Sequence, residues 1–263
     1  LNDLPDDILF WRKVDVIVPA SASHGRYLML SQPKEALCGW VPLYGGVLPH
    51  LYERALPWHL RKPVVSWWSS PDRGLHHLLL MWPTIREHVP NAELRIAYHM
   101  ERYINDTREA FLYGEMAWRA RALEQAAEAA KRAGGVKVLG PISRVELAAH
   151  QRETKVWAFP FEPVTPTEGL SVSMGESIAC GAWPIARPAD ALPEVYGDCV
   201  QWVDATICDD AWRARFAKAV IDALKSEKNP YAWKGKRFAT EFTWEAATRN
   251  LERACQMASS EAV

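Results

Sequence analysis

The feature that most constrains this chain is an alternation of two periodicities, running from residue 63 to about 203. Short runs rich in β-branched and aromatic residues are separated by longer stretches whose apolar residues recur every three or four positions. Pro63-Val64-Val65-Ser66-Trp67-Trp68 predicts a buried strand, and residues 73 to 88 a helix with Leu75, Leu78, Leu79, Trp82 and Ile85 on one face, stopped by Pro90. Glu93 to Tyr98 predicts the next strand, and Glu115 to Ala133 a helix closed by Gly134-Gly135. Val136 to Leu139 follows as a strand, then Ser143 and Glu146 spaced as a capping box. Lys155 to Phe159 predicts a strand, Leu170 to Cys180 a helix ended by Gly181, Trp183 to Ala186 a strand and Cys199 to Val203 a last one. Helices are expected near 209–226 and 243–257. Ahead of this pattern, Asn2-Asp3-Leu4-Pro5 suggests a helix start, Val14 to Val18 a strand, and Pro42 to Pro63 an irregular linker. Strands alternating with helices at this spacing imply an α/β fold, a Rossmann-like parallel sheet with helices on both faces. The 263 residues suffice for one sizeable core and a smaller attached segment.

In such sheets ligands sit beyond the carboxyl ends of the strands, so the loops after each strand carry the functional question. The first is Ser69-Ser70-Pro71-Asp72-Arg73-Gly74-Leu75, where small residues admit a ligand to the backbone and Arg73 offers a forked cation suited to phosphate. A plain surface turn with a solvated Arg is the competing reading. The second spans Phe161 to Ser177. Glu168 stands just before the predicted helix, Glu176 lies inside it, and Gly169, Leu170 and Ser171 present amide N–H groups at its start. Two carboxylates beside an anion site repel phosphate but accept hydrogen bonds from sugar hydroxyls, the layout of a nucleoside diphosphate sugar. The competing reading has Glu168 serving the helix dipole and Glu176 solvated. The third loop, Leu139-Gly140-Pro141-Ile142-Ser143, is rigid enough to pair its backbone with a flat base, or is a simple strand-to-helix turn. The fourth, Arg187 to Glu194, follows a strand at the same sheet end.

Other chemistries lack their signatures. No G-x-G-x-x-G follows a strand, and neither a P-loop nor a G-x-S-x-G elbow occurs. A formal net charge of -1 gives no basic excess for nucleic acid. The five cysteines are odd in number and form no C-x-x-C pair, which favours reduced thiols and a cytoplasmic setting. No apolar run approaches the length of a membrane span. Neighbouring His76 and His77 are expected on different faces of their helix and are read as structural, as is His24 in S-A-S-H-G. Most of the thirteen Trp are expected in the core, with no sugar-stacking role placed.

Taken in order, S-S-P-D-R-G-L, W-P-T-I-R-E-H-V-P-N-A-E-L-R-I, V-K-V-L-G-P-I-S-R-V-E-L, T-E-G-L-S-V-S-M-G-E-S-I-A-C-G-A-W-P-I-A and A-L-P-E-V resemble the donor-binding C-terminal domain of retaining GT-B glycosyltransferases of family four (group one). The resemblance covers roughly residues 63 to 200 and is most specific at the paired glutamates. It implies that Glu168 faces the donor sugar, that Glu176 holds the ribose hydroxyls, and that Gly169, Leu170 and Ser171 lie against phosphates and sugar. Arg73, with Ser70 in its loop, stands where the family often has a diphosphate-neutralising Lys, and Gly140, Pro141 and Ile142 where the base is bracketed. Trp68 stands near the place of a second family cation, and Asp190-Ala191 replaces a Gly-rich turn.

The implied activity is retaining glycosyl transfer from a UDP- or GDP-linked sugar to an unknown acceptor, without a metal or other cofactor. The implied organisation is a remnant of an acceptor domain plus linker (1–62), a nucleotide-sugar-binding domain (63–228) and a C-terminal helical segment (229–263). Such a chain is expected to need an acceptor domain, a partner chain or self-association. A non-catalytic donor-binding or scaffold subunit, and an epimerase on the same architecture, remain as other readings.

Overall fold

The structure, a computed structural model, describes residues 13–30, 39–110, 114–162 and 168–260. The expected helix start at Asn2–Pro5 and Cys38 lie outside them, as do residues 163–167 of the second loop.

A pair of short parallel strands comes first, β1 (Val16–Ile17) and β2 (Gly39–Trp40), with helix α1 (Ala22–Leu30) between them in sequence. The short helix α2 (Pro49–Tyr52) and a 3-10 turn at Trp58–Leu60 break the expected linker. The main sheet holds β3 (Val64–Trp67), β4 (Glu93–Ile96), β5 (Val136–Val138), β6 (Val156–Phe159), β7 (Trp183–Ala186) and β8 (Gln201–Trp202). Its order is β5-β4-β3-β6-β7-β8, and all its pairings are parallel. Every residue of β3 and β6 is buried, the signature of central strands covered on both faces.

The covering helices form two sets that pack within themselves. One contains α3 (Leu75–His88), α5 (Glu115–Ala133) and α9 (Asp210–Lys225). The other contains α2, α6 (Arg144–Glu153), α7 (Val172–Ala179) and α10 (Ala232–Glu241). The Ser143 cap is present with both of its reciprocal hydrogen bonds. Five helices among the described residues escaped the sequence reading: α1, α2, α4 (Met100–Ala110), α8 (Leu192–Tyr196) and α10. α4 and α10 are polar on average, and each turns only a narrow stripe inward, Met100, Tyr103, Ile104 and Thr107 in α4 and Gly235 and Phe238 in α10. The last helix, α11 (Trp244–Ser260), runs against β1, and Val47 bridges Thr243, so the C-terminal segment returns to the linker.

Buried Arg61 fixes the linker to the sheet. Its guanidinium donates to the carbonyls of Leu56 (2.8 Å), Thr154 (2.6 Å) and Cys180 (2.5 Å). Thr154 and Cys180 cap the C-termini of α6 and α7, where a cation meets the negative helix ends. Burial lowers the Arg61 pKa to about 10, which leaves it charged at neutral pH. The cysteines at 180, 199, 208 and 255 are unpaired, as expected.

Candidate functional site

The strand order reverses between β3 and β6: the chain builds outward from β3 through β4 to β5, then returns beside β3 as β6. At such a reversal the loops leaving the two strands diverge and open a crevice. The loop after β3 carries Ser70 and Arg73, and the loop after β6 carries Glu168 to Ser171.

The β3 loop closes as a 3-10 turn at Pro71–Arg73 and then needs Gly74 at φ 106°. A Cβ added at Gly74 falls 2.2 Å from the Pro160 carbonyl oxygen, so only glycine lets this turn lie on the β6 loop. The helix expected from Arg73 therefore starts at Leu75. Ser70 Oγ donates to Asp72, and buried Arg119 of α5 donates to the carbonyls of Asp72 (2.8 Å) and Glu162 (2.5 Å), tying both loops together.

Arg73 is brought to Glu168, with Nη1 on Oε2. The Glu168 side chain is 4% exposed and that of Arg73 27%, so the guanidinium stays partly open to solvent. Burial raises the Glu168 pKa, and the Arg73 charge opposes that rise. The backbone of Glu168 is held from the other side. Its amide donates to Asp190 Oδ2 (3.0 Å), and its carbonyl accepts from Ala191 (3.3 Å). Asp190 has φ 49°, the left-handed conformation that a glycine of the replaced turn supplies without strain. Gly169, Leu170 and Ser171 lead directly into α7, with the Tyr196 hydroxyl donating to the Ser171 carbonyl (2.5 Å).

Glu176, just over one turn into α7, is also buried, but its partners belong to the protein. Arg144 Nη2 donates to Oε1 (2.5 Å) and Gln151 Nε2 to Oε2 (3.1 Å). Tyr52 stands beside it, its hydroxyl pKa raised by burial and then by the Glu176 charge. Arg144 follows the Gly140–Ser143 loop and is 61% exposed, so its side chain covers Glu176 from the solvent side. Pro141 and Ile142 line a cleft with Tyr98, Tyr103 and Leu147, while Gly140 turns toward a groove along the β5 edge.

His76 and His77 correct the sequence reading. They do not face apart: their ring centroids lie 4.0 Å from one another, and both Nε2 atoms approach Glu162 Oε2, at 3.4 and 2.9 Å. Side chains in the first turn of a helix lean back toward its start, where Glu162 sits. Together the three residues have the donor types of a metal site. The surroundings do not suit a cation. Arg213 Nη1 lies 3.3 Å from His77 Nδ1, which must accept and so leaves the ring proton on Nε2, aimed at Glu162. Arg119 Nη2 stands 3.7 Å from the same carboxylate. Burial works against the Glu162 charge, but the two imidazoles and Arg119 outweigh it and hold its pKa well below the usual range. This is a self-neutralised network under the Arg73 loop.

Arg119, Arg144 and Tyr52 were missed by the sequence reading, which named Asp190 as the non-glycine residue in a turn that favours glycine but not its hold on Glu168.

The six-stranded parallel sheet with helices on both faces is one α/β half of a GT-B arrangement. Residues 69–237 match the family described as glycosyl transferases group 1, and the chain belongs to that family. No curated protein is matched by sequence. Among solved structures, the chain is similar to one in the GtfA/B complex (12% identity, TM-score 0.64), over 96% of this chain and 47% of that one. It is similar to the sucrose-phosphate synthase from Thermosynechococcus elongatus (15% identity, TM-score 0.67), over 97% of this chain and 61% of that one. A glycosyltransferase from Rickettsia africae is matched at 12% identity and TM-score 0.67, over 98% and 68%. The chain thus spans between about half and two thirds of the length of these neighbours. Among the described residues no helix is long and apolar enough to cross a membrane.

Proposed function

We propose that this chain binds a nucleoside diphosphate sugar, UDP- or GDP-linked, in the crevice between the β3 and β6 loops, and serves glycosyl transfer to an acceptor with retention at the anomeric carbon. The observation that carries this reading is the Arg73–Glu168 pair at the sheet's reversal, in front of the start of α7. Arg73 neutralises the buried carboxylate, which otherwise repels a diphosphate, and its remaining N–H groups meet the departing phosphate together with the amides of the 169–171 turn. Glu168 accepts from sugar hydroxyls and orients the ring as positive charge develops at the anomeric carbon. Because guanidinium and helix start supply the positive field, the reading requires no metal or other cofactor. Ser70 lies within the loop that approaches the phosphates. Glu176 takes the ribose hydroxyls once Arg144 moves aside, and Gly140, Pro141 and Ile142 bracket the base.

In this reading residues 63–228 form the donor-binding unit, 1–62 are the end of an acceptor domain with its linker, and 229–263 cross back toward it. Acceptor binding then belongs to a further domain, a partner chain or a second copy, and the family membership together with the share of the neighbours that is covered supports this. Reduced cysteines fit a cytoplasmic setting.

Titration calorimetry with UDP, GDP and their hexose conjugates tests the site. One nucleoside diphosphate is expected to bind, and Arg73→Ala to weaken it about 10- to 100-fold, the worth of a charge-assisted hydrogen bond. Glu176→Ala is expected to weaken it as well. Affinity unchanged in both variants sinks the proposal.

A further inference from the structure

His24 belongs to α1, well before the main sheet in sequence, yet its ring lies on the β6 loop. A Cβ added at Gly169 meets His24 Nδ1 at 3.1 Å. The Ala20 amide donates to that same Nδ1 at 3.2 Å, which places the proton of the neutral ring on Nε2. Nε2 has no partner among the described residues. The ring lines a small cleft with Ser23, Tyr27, Glu168, Gly169 and Asp190. Burial lowers the imidazole pKa from its ordinary value, so the ring is neutral at pH 7.

α1 is not free to drift from this position. Glu194 of α8 accepts from the amides of Ala22 (2.9 Å) and Ser23 (2.7 Å) at the first turn of α1, capping it from a distant part of the chain. The imidazole is therefore carried into the crevice by a helix whose start is pinned to the same loop region that grips Glu168.

We propose that His24 binds the transferred sugar, donating from Nε2 to one of its hydroxyls beside Glu168. This deepens the donor-site reading above and rests on it. The chemistry of the cleft selects a hydroxyl over phosphate. Among the described residues the cleft has no Lys or Arg in its lining, and the Asp190 carboxylate stands beside Glu168, so it disfavours an anion, whereas a hydroxyl donates to a carboxylate and accepts from a ring N–H at once. The N-terminal segment thereby supplies part of the sugar pocket, and His24 discriminates a nucleotide sugar from the bare nucleotide.

Two substitutions separate this role from a structural one. In His24→Asn the amide oxygen takes the place of Nδ1 and keeps the Ala20 contact, while the Nε2 donor is lost. In His24→Gln the amide nitrogen reaches the place of Nε2, while the Ala20 contact is lost. Calorimetry compares UDP with UDP-glucose and GDP with GDP-mannose on the full chain. The expected result is that His24→Asn binds nucleoside diphosphate within about twofold of the native chain but the nucleotide sugar about 5- to 10-fold more weakly, the worth of one neutral hydrogen bond. His24→Gln is expected to retain most of the sugar increment. The reverse pattern, equal losses for nucleotide and nucleotide sugar, or no sugar increment in the native chain overturns the assignment. If Arg73→Ala lowers nucleoside diphosphate affinity while His24→Asn leaves the sugar increment intact, only the His24 proposal falls. If the native chain binds none of the four ligands, the donor-site reading falls and takes this one with it.

Discussion

The two acids before and within α7 are both buried and both paired with an arginine, yet they are held in opposite ways. Glu168 is gripped through its backbone by Asp190 and Ala191 and through its side chain by Arg73, in a loop itself tied down by buried Arg119. Glu176 gains its backbone position from the interior of a helix, and its arginine reaches it from solvent, with Arg144 61% exposed. The first arrangement is fixed in advance by protein partners on every side, the kind of preorganisation that the proposed role of Arg73 and Glu168 calls for. The second has a solvent-exposed cover, Arg144, over a buried carboxylate. In the donor-site reading proposed above, ribose binding at Glu176 is an exchange of partners, and the fixed geometry falls at the end that faces the transferred sugar.

The largest expected effect tests the rigid end. Arg119 is 4% exposed and satisfies two loop carbonyls, with its Nη2 also 2.9 Å from Glu115. Arg119→Leu strands both carbonyls at a cost on the order of 3 kcal/mol in urea unfolding, since each unpaired buried acceptor costs roughly 1–3 kcal/mol. Nucleoside diphosphate affinity should fall as well in the molecules that remain folded, because Arg73 loses its fixed loop. A variant that is destabilised but binds normally breaks the claim that this end must be rigid.

A smaller effect, of opposite sign, tests the exchanging end. The Arg144–Glu176 pair has one solvent-exposed partner, and such pairs are worth roughly 0.2–1 kcal/mol. If ribose competes with Arg144, removing the competitor in Arg144→Ala tightens nucleoside diphosphate binding by about two- to fivefold by calorimetry, and the gain shrinks as salt rises and screens the pair. Weaker binding in that variant means that Arg144 contacts the ligand instead of covering its site.

This asymmetry also marks what the sequence discloses. The sheet was legible because its central strands are buried on both faces and read as unbroken apolar runs, Val64 to Trp67 and Val156 to Phe159. The nearness of Arg73 to Glu168 was legible because both stand in loops that follow strands at one end of a parallel sheet, and the structure pairs them. Arg119 and Arg144 were not, since each sits on a helix among other charged residues, and only the fold decides that one turns inward to carbonyls and the other caps a carboxylate. The adjacent histidines misled because a helical wheel places them about 100° apart, while Glu162, arriving from another strand's loop, meets both.

The smallest expected effect concerns the third support of the Glu168 end, the clamp of Glu194 on α1. Burial works against the Glu194 charge, but hydrogen bonds from Ser23, Tyr44 and the amides of Ala22 and Ser23 outweigh it and hold its folded pKa below the ordinary value. A carboxylate so depressed contributes stability above its unfolded pKa, roughly 4.3, and loses that contribution as pH falls through the lower folded value. Glu194→Gln removes the charge but keeps an acceptor, so it should lower stability at pH 7 by about 1 kcal/mol, typical of a lost helix cap. The gap between native and variant melting temperatures, followed from pH 7 to pH 3, should then close at the acid end, because the native chain loses there what the variant never had. A gap that stays constant across the range shows that Glu194 holds α1 by shape alone, and the Glu168 end then keeps its rigidity without help from the N-terminal segment.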